Sequence, residues 1–128
     1  MLNPEINPWE RYTNVYKALS DTTRLKIMWL LLTVESKANV SEIVYTLGEN
    51  QYNISKHLKI LKNADMIYEK KEGKWTYYHC RTNDGDFERL IRQAVLTIPK
   101  EMLVDETLRC CERLTMRKDT NNDITTAD

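Results

Sequence analysis

Gly48-Glu49-Asn50-Gln51-Tyr52-Asn53-Ile54-Ser55-Lys56-His57-Leu58-Lys59-Ile60-Leu61-Lys62-Asn63 is the stretch that decides the fold. Ile54, Leu58 and Leu61 fall at i, i+4 and i+7, the spacing of one helical face. The opposite face is Gln, Asn and Lys. A helix with so narrow an apolar stripe packs along one line and offers the rest to solvent or to a polar partner. Asn50 is placed to cap this helix at Gln51, and Gly48 to stop the helix before it. Gly48-Glu49-Asn50 then makes the turn of a helix-turn-helix.

Upstream, Val40-Ser41 precedes a short helix, Glu42 to Leu47, for which Ser41 is the expected cap. Ile27 to Leu32 is apolar all round, so the helix opened by Ser20-Asp21 should be the central buried one, with Leu25, Met28, Trp29 and Leu32 facing inward. Asn7-Pro8 reads as the start of a first helix carrying Trp9, Tyr12, Tyr16 and Leu19. Downstream, Met66–Lys71 and Lys74–Cys80 read as strands around Glu72-Gly73, a hairpin signal rich in aromatics. From about Asp84 a helical period returns in Phe87, Leu90, Ile91, Ala94, Val95 and Ile98. Pro99 should interrupt it, and a last stretch continues to about Arg117. Residues 118–128 are polar and aperiodic, and a disordered tail is expected there. The expected architecture is mainly α with a small β-hairpin wing: a winged helix-turn-helix over residues 1–117, dimeric.

Composition fits a single folded domain. The chain has 128 residues, 41 % of them hydrophobic and 30 % charged, too apolar for disorder. Only three Gly and three Pro argue against a sandwich or barrel. The longest apolar run, Ile27 to Leu32, falls far short of the roughly 20 residues that span a bilayer. With no charged-then-apolar opening segment, a cytoplasmic location and no membrane partner are expected. Three cysteines, an odd number, read as reduced thiols rather than a disulfide framework.

Net charge is zero, yet it is unevenly spread. Residues 56–81 hold seven basic and three acidic side chains, and residues 82–128 hold seven and ten. A basic middle and an acidic end suit a face that meets phosphate. In a helix-turn-helix the second helix enters the major groove and reads base edges with its N-terminal residues. Gln51, Tyr52, Asn53, Ser55 and Lys56 occupy that end, with Lys59 further along. Asn and Gln can pair with adenine through two hydrogen bonds, and Lys can reach guanine or phosphate. Lys70, Lys71 and Lys74 sit at the hairpin tip, where a wing would touch the phosphate backbone. The expected partner is double-stranded operator DNA; a winged helix serving only protein interaction is the alternative. No Gly-rich phosphate loop, nucleophile elbow or paired acid–base motif supports an enzyme. The vicinal thiols Cys110-Cys111 lack the Cys-x-x-Cys spacing at a helix start that redox catalysis uses.

Three segments carry a family resemblance. Tyr16-Lys17-Ala18-Leu19-Ser20-Asp21-Thr22-Thr23-Arg24-Leu25-Lys26-Ile27, then Asn53 to Ile67, then Lys71-Glu72-Gly73-Lys74-Trp75-Thr76-Tyr77-Tyr78 are similar to the motifs of ArsR/SmtB-type repressors. The likeness covers about residues 12–98. It implies a homodimer held by the first and last helices, released from operator DNA when a metal, metalloid or thiol-reactive species binds. The apolar stripes on helices 9–19 and 87–98 independently suggest an interface. A two-fold dimer would set two recognition helices one DNA turn apart, about 34–36 Å. Asp65 departs from the glycine usual at its position.

The resemblance also implies where a sensor site would lie. The Cys-x-Cys pair of one subgroup would fall at Asn39 and Ser41, the interfacial Asp/His set has no histidine on the last helix, and the second helix has no cysteine. Cys110 and Cys111 remain, with Cys80 as an accessory, resembling a subgroup with a late Cys-Cys pair. Soft thiolates suit As(III) or another thiophilic ion. Two buried thiols packing as small hydrophobes would look the same, and a redox-responsive or ligand-free regulator stays open. His57, inside the recognition helix, suits a structural or phosphate role, and His79 beside Cys80 is a weaker ligand candidate.

Overall fold

The computed structural model of the chain describes residues 7–34, 37–82 and 85–113. Their order is α1 (Glu10–Leu19), α2 (Thr22–Thr33), β1 (Lys37–Asn39), α3 (Val40–Leu47), α4 (Gln51–Asn63), β2 (Ile67–Glu72), β3 (Trp75–Cys80) and α5 (Asp86–Leu96). A 3-10 turn, Lys100–Leu103, then leads into a helical segment over residues 104–113, α6. The architecture is the winged helix-turn-helix expected. The tail expected over 118–128 lies outside the described residues. No helix of the described residues is long and apolar enough to cross a membrane.

Helix α2 is the axis of the core. Ile27, Met28, Leu30 and Leu31 are at most 2 % exposed, and Ile43 from α3 with Ile54, Leu58 and Leu61 from α4 pack around it. Each such side chain contributes about 1.5–3 kcal/mol through burial. The caps follow local chemistry. Asp21 accepts from the Arg24 amide at the start of α2. Asn50 accepts from the Asn53 amide at 2.8 Å at the start of α4. At α3 the expected cap Ser41 gives way to Asn39. The Asn39 side chain accepts from the Glu42 amide at 2.8 Å while the Glu42 carboxylate accepts from the Asn39 amide at 2.9 Å. This reciprocal pair satisfies two orphan donors at once, which a lone serine cannot. At α1, Asn7 starts the turn by accepting from the Trp9 amide at 3.0 Å, but the helix itself begins at Glu10.

Gly48 ends α3 in the left-handed region at φ +67°, which gives the helix-turn-helix its sharp turn. The three-stranded sheet has the order β1-β3-β2, with Ala38 opposite Tyr78 and Lys71 opposite Thr76. Its hairpin closes at Glu72 opposite Trp75, so the turn is Gly73-Lys74, one residue later than the sequence suggested. Gly73 takes φ +65°. Asp65 adopts φ +62° and lies 2.8 Å from Arg81 Nε, so the turn from α4 into β2 is tied to the end of β3. That contact accompanies a non-glycine residue in a conformation glycine favours.

The apolar stripes proposed for a second copy are divided by the fold. Trp9, Tyr16, Leu90 and Leu96 are exposed, at 70 %, 59 %, 54 % and 49 %. Val95 is buried, and Ile91 and Ile98 are half-buried against their own chain. Phe87 packs edge-to-face with Tyr12 and Tyr16 at 4.8 and 5.7 Å, which fastens α5 to α1.

Candidate nucleic-acid interface and thiol positions

Helix α4 presents two faces. Ile54, Leu58 and Leu61 are buried, whereas Gln51, Tyr52, Ser55, Lys56 and Lys59 are exposed. Tyr52, Lys56 and Lys59 stand at i, i+4 and i+7, one outward stripe. Asn53 is half-buried at the edge of that stripe. Lys62, at the far end, is held by Glu69 of β2. The wing lysines Lys70, Lys71 and Lys74 are all exposed, Lys74 in the turn itself. As strand neighbours, Lys70 and Lys71 point to opposite faces of the hairpin. The arrangement offers polar, cationic side chains on a helix and a separate cationic tip, as groove and backbone contacts require.

His57 faces inward. Arg24 Nη1 lies 3.1 Å from its Nδ1, while Arg24 Nε donates to the Ala18 carbonyl at 2.5 Å. Asp21 Oδ1 is 3.9 Å from the same ring nitrogen. This network joins the α1–α2 corner to the recognition helix, so His57 positions α4. His79 stacks on Tyr68 at 5.0 Å, and burial lowers its pKa from the ordinary histidine value.

The feature missed in the sequence is the docking of α6. It runs antiparallel along α3, the helix that supports α4. Arg109 Nε donates to the Thr46 carbonyl at 2.8 Å, Arg113 donates to Ser41 Oγ at 3.0 Å, and the Tyr45 hydroxyl donates to Glu112. Lys26 of α2 pairs with Glu106 at 3.0 Å, where Glu106 is 7 % exposed. Burial works to raise the Glu106 pKa, but the hydrogen bond from Lys26 and its charge outweigh that, and the net shift is downward. A carboxyl held below its ordinary value lends stability above that value and loses it as pH falls through the folded value. Acidification below the ordinary carboxylate range, about pH 4.3, should therefore loosen α6 before the core. Hydrogen exchange read by mass spectrometry over residues 104–113 is expected to rise first in acid, and Glu106→Gln should flatten that dependence. Equal pH dependence in the variant contradicts this assignment.

The cysteines fall in different settings. Cys80 is 4 % exposed at the end of β3, and burial pushes its pKa up to about 12 against the lowering charge of Arg92. Cys110 is 9 % exposed, facing Leu30, Val34, Ala38, Glu42 and Thr46. Cys111 is exposed. All three are thiols. Among the described residues no group of three His, Cys, Asp or Glu is gathered closely enough to hold a metal ion. Cys110 and Cys111 are adjacent on a helix, so their side chains diverge by about 100°. With α6 docked, their sulfurs therefore do not fit one ion.

Residues 21–69, from the cap of α2 into β2, match the family model described as bacterial regulatory protein, arsR family. An arsenic resistance transcriptional regulator of Pseudomonas putida is 31 % identical over 98 residues, covering 77 % of this chain and 76 % of the relative. The arsenical resistance operon repressor of Bacillus subtilis is 33 % identical over 88 residues, covering 69 % of this chain and 81 % of the relative. Among solved structures, a homodimeric winged helix-turn-helix DNA-binding domain from Mycobacterium bovis, described as from a possible ArsR-family transcriptional regulator, superposes with a TM-score of 0.56 at 23 % identity. It covers 80 % of this chain and 94 % of that one, and the likeness shows the fold. None of the three is described as an enzyme.

Proposed function

Since the chain belongs to the arsR family of bacterial regulatory proteins, we propose that it is a homodimeric, sequence-specific DNA-binding repressor that leaves its operator when a thiophilic ion reaches Cys110 and Cys111. The observation that carries the first half is the outward stripe of α4, set beside a cationic wing tip. Gln51, Asn53 and Lys56 are the base-edge readers in this reading, Tyr52, Ser55 and Lys59 flank them, and Lys70, Lys71 and Lys74 serve phosphate. The exposed Trp9, Tyr16 and Leu90 stripe receives the second copy. A repressor of operator DNA works in the cytoplasm, which is the location this reading implies.

The second half rests on α6. Its docked face carries Cys110, and the same helix holds Thr46 and Ser41 of α3. For its sulfur and that of Cys111 to share an ion, α6 must both release Cys110 from the docked face and unwind locally at the pair, so ligation favours an undocked, frayed α6. A bound ion contributes soft Lewis-acid bonds to sulfur, for which As(III) is the leading candidate given the relatives' names. Ligation can lower DNA affinity only if the undocked form binds DNA less well. Cys80, with its thiol pKa near 12, is the accessory at most.

The test follows operator DNA by fluorescence anisotropy while arsenite is added, with thiolate absorption recorded in parallel. The parent chain is expected to lose affinity by about 5–150-fold, the range of a 1–3 kcal/mol coupling. Cys110→Ser/Cys111→Ser should bind DNA as tightly as the parent and show neither the absorption nor the loss. Release of that variant at the parent's arsenite concentration contradicts the thiol site. Absence of salt-dependent DNA binding by the parent chain contradicts the repressor reading itself.

A further inference from the structure

A cavity of about 240 Å³ is lined by no residue of α6 and by neither Cys110 nor Cys111. Its walls come from α1 and α5 on one side and from the α4–β2 turn and the end of β3 on the other. Three guanidinium groups line it, Arg11, Arg81 and Arg92, against two carboxylates, Asp65 and Glu88. The lining therefore carries a net positive charge. The rest is apolar: Val15, Met28, Ala64, Met66 and Ile91.

Both carboxylates have cationic neighbours. Arg11 pairs with Glu88 across α1 and α5, and Arg92 donates to the Arg81 carbonyl at 3.0 Å. Arg81 is different. Its Nε is buried and makes no hydrogen bond, although Asp65 Oδ1 lies 2.8 Å away. The contact is an ion pair without an aligned N–H, and the Arg81 and Asp65 side chains are 41 % and 78 % exposed. Water screens such a pair, which therefore holds Asp65 only weakly. A donor whose N–H meets no aligned acceptor favours a better-placed one, and a guanidinium favours a planar carboxylate.

We infer that this cavity is a binding site for a small organic monoanion with an apolar body, whose carboxylate is taken by Arg81 and whose body rests on Met28, Met66 and Ile91. At about 30 Å³ for one water, the space admits roughly eight non-hydrogen atoms, the size of a single ring with one acid group. Asp65 yields its place to the incoming carboxylate and turns to solvent. Glu88, Ile91 and Arg92 face the cavity, whereas the exposed Leu90 and Ala94 belong to another face of α5. The inference stands independently of the thiol site.

The experiment uses the full chain with carbon-13-labelled methionine methyl groups, titrated with benzoate and, separately, with benzamide. The two have the same shape and differ in charge. Benzoate is expected to shift the Met28 and Met66 signals saturably and to leave Met102, 69 % exposed elsewhere, unmoved. Benzamide should bind at least tenfold more weakly. Arg81→Gln should weaken benzoate at least tenfold while the methyl spectrum stays dispersed. If that variant does not fold, the benzoate–benzamide comparison on the parent chain decides alone. Equal response to both probes, equal movement of Met102, or full benzoate binding by folded Arg81→Gln overturns the site.

Discussion

Asn53→Ala/Lys56→Ala is expected to lose specific DNA binding at concentrations that saturate the parent chain. Asn53 sits at the edge of the outward stripe of α4 and Lys56 within it, one turn apart. An amide paired twice to adenine, or a lysine on guanine, is worth about 1–3 kcal/mol each. The pair therefore amounts to about 2–6 kcal/mol as an upper figure, because neighbours couple. The helix should survive the change. Its cap uses the backbone amide of Asn53, which alanine retains, and alanine favours helix. Anisotropy with specific and scrambled duplexes reads the loss, and circular dichroism confirms the fold. Lys70→Ala offers the contrast: affinity should fall alike for every sequence, with the salt slope reduced by about one. A double variant within twofold of the parent on the specific duplex removes α4 from base reading.

Leu58→Ala carries the largest expected effect on stability. Leu58 is 1 % exposed and lies with Ile54 and Leu61 on the single stripe that holds α4 to the core. Truncating a fully buried leucine costs about 2–5 kcal/mol, against a total of about 5–15 kcal/mol for a domain. The urea midpoint should fall with an unchanged slope, measured at one protein concentration because a dimer's stability depends on it. Since the lost contact is that of α4, DNA binding should fail at temperatures where the rest of the fold persists. A loss below 1 kcal/mol means that α4 is held by something other than this stripe.

How much of this was legible depended on whether the signal was local. The α4 stripe, its Asn50 cap and the Gly48 stop are set by neighbours in sequence, and the structure has all three as read. The Asn39 cap was equally local: Glu42 three residues later is the capping-box signature, but the nearer Ser41 masked it. Strand β1 spans only Lys37–Asn39, too short for any period, and exists because β3 offers an edge for Ala38 to pair with Tyr78. The α5 stripe was legible as apolar but not as divided. Periodicity marks a face, and only packing says that Ile91 turns to its own chain while Leu90 turns outward.

The candidate sites divide the same way. Exposure of Gln51, Tyr52, Ser55, Lys56 and Lys59 follows from helix geometry and could be read directly. The three cysteines could be named but not related. That Cys110 lies buried against α2 and α3 depends on Arg109 reaching Thr46 and on Glu106 reaching Lys26, contacts 63 and 80 residues apart in the chain that leave no trace in spacing. The same holds for Arg81 and Asp65, which meet only because β3 returns past the end of α4.

In the proposed repressor, two copies of α4 read one DNA site. Selection of duplexes from a random-sequence pool by the full chain tests it most directly. The pool is expected to be enriched in an inverted repeat whose half-sites are centred about 34–36 Å apart, one turn of B-DNA, with the enrichment lost for Asn53→Ala/Lys56→Ala. A pool that remains random after repeated rounds, or one enriched equally by the double variant, contradicts it.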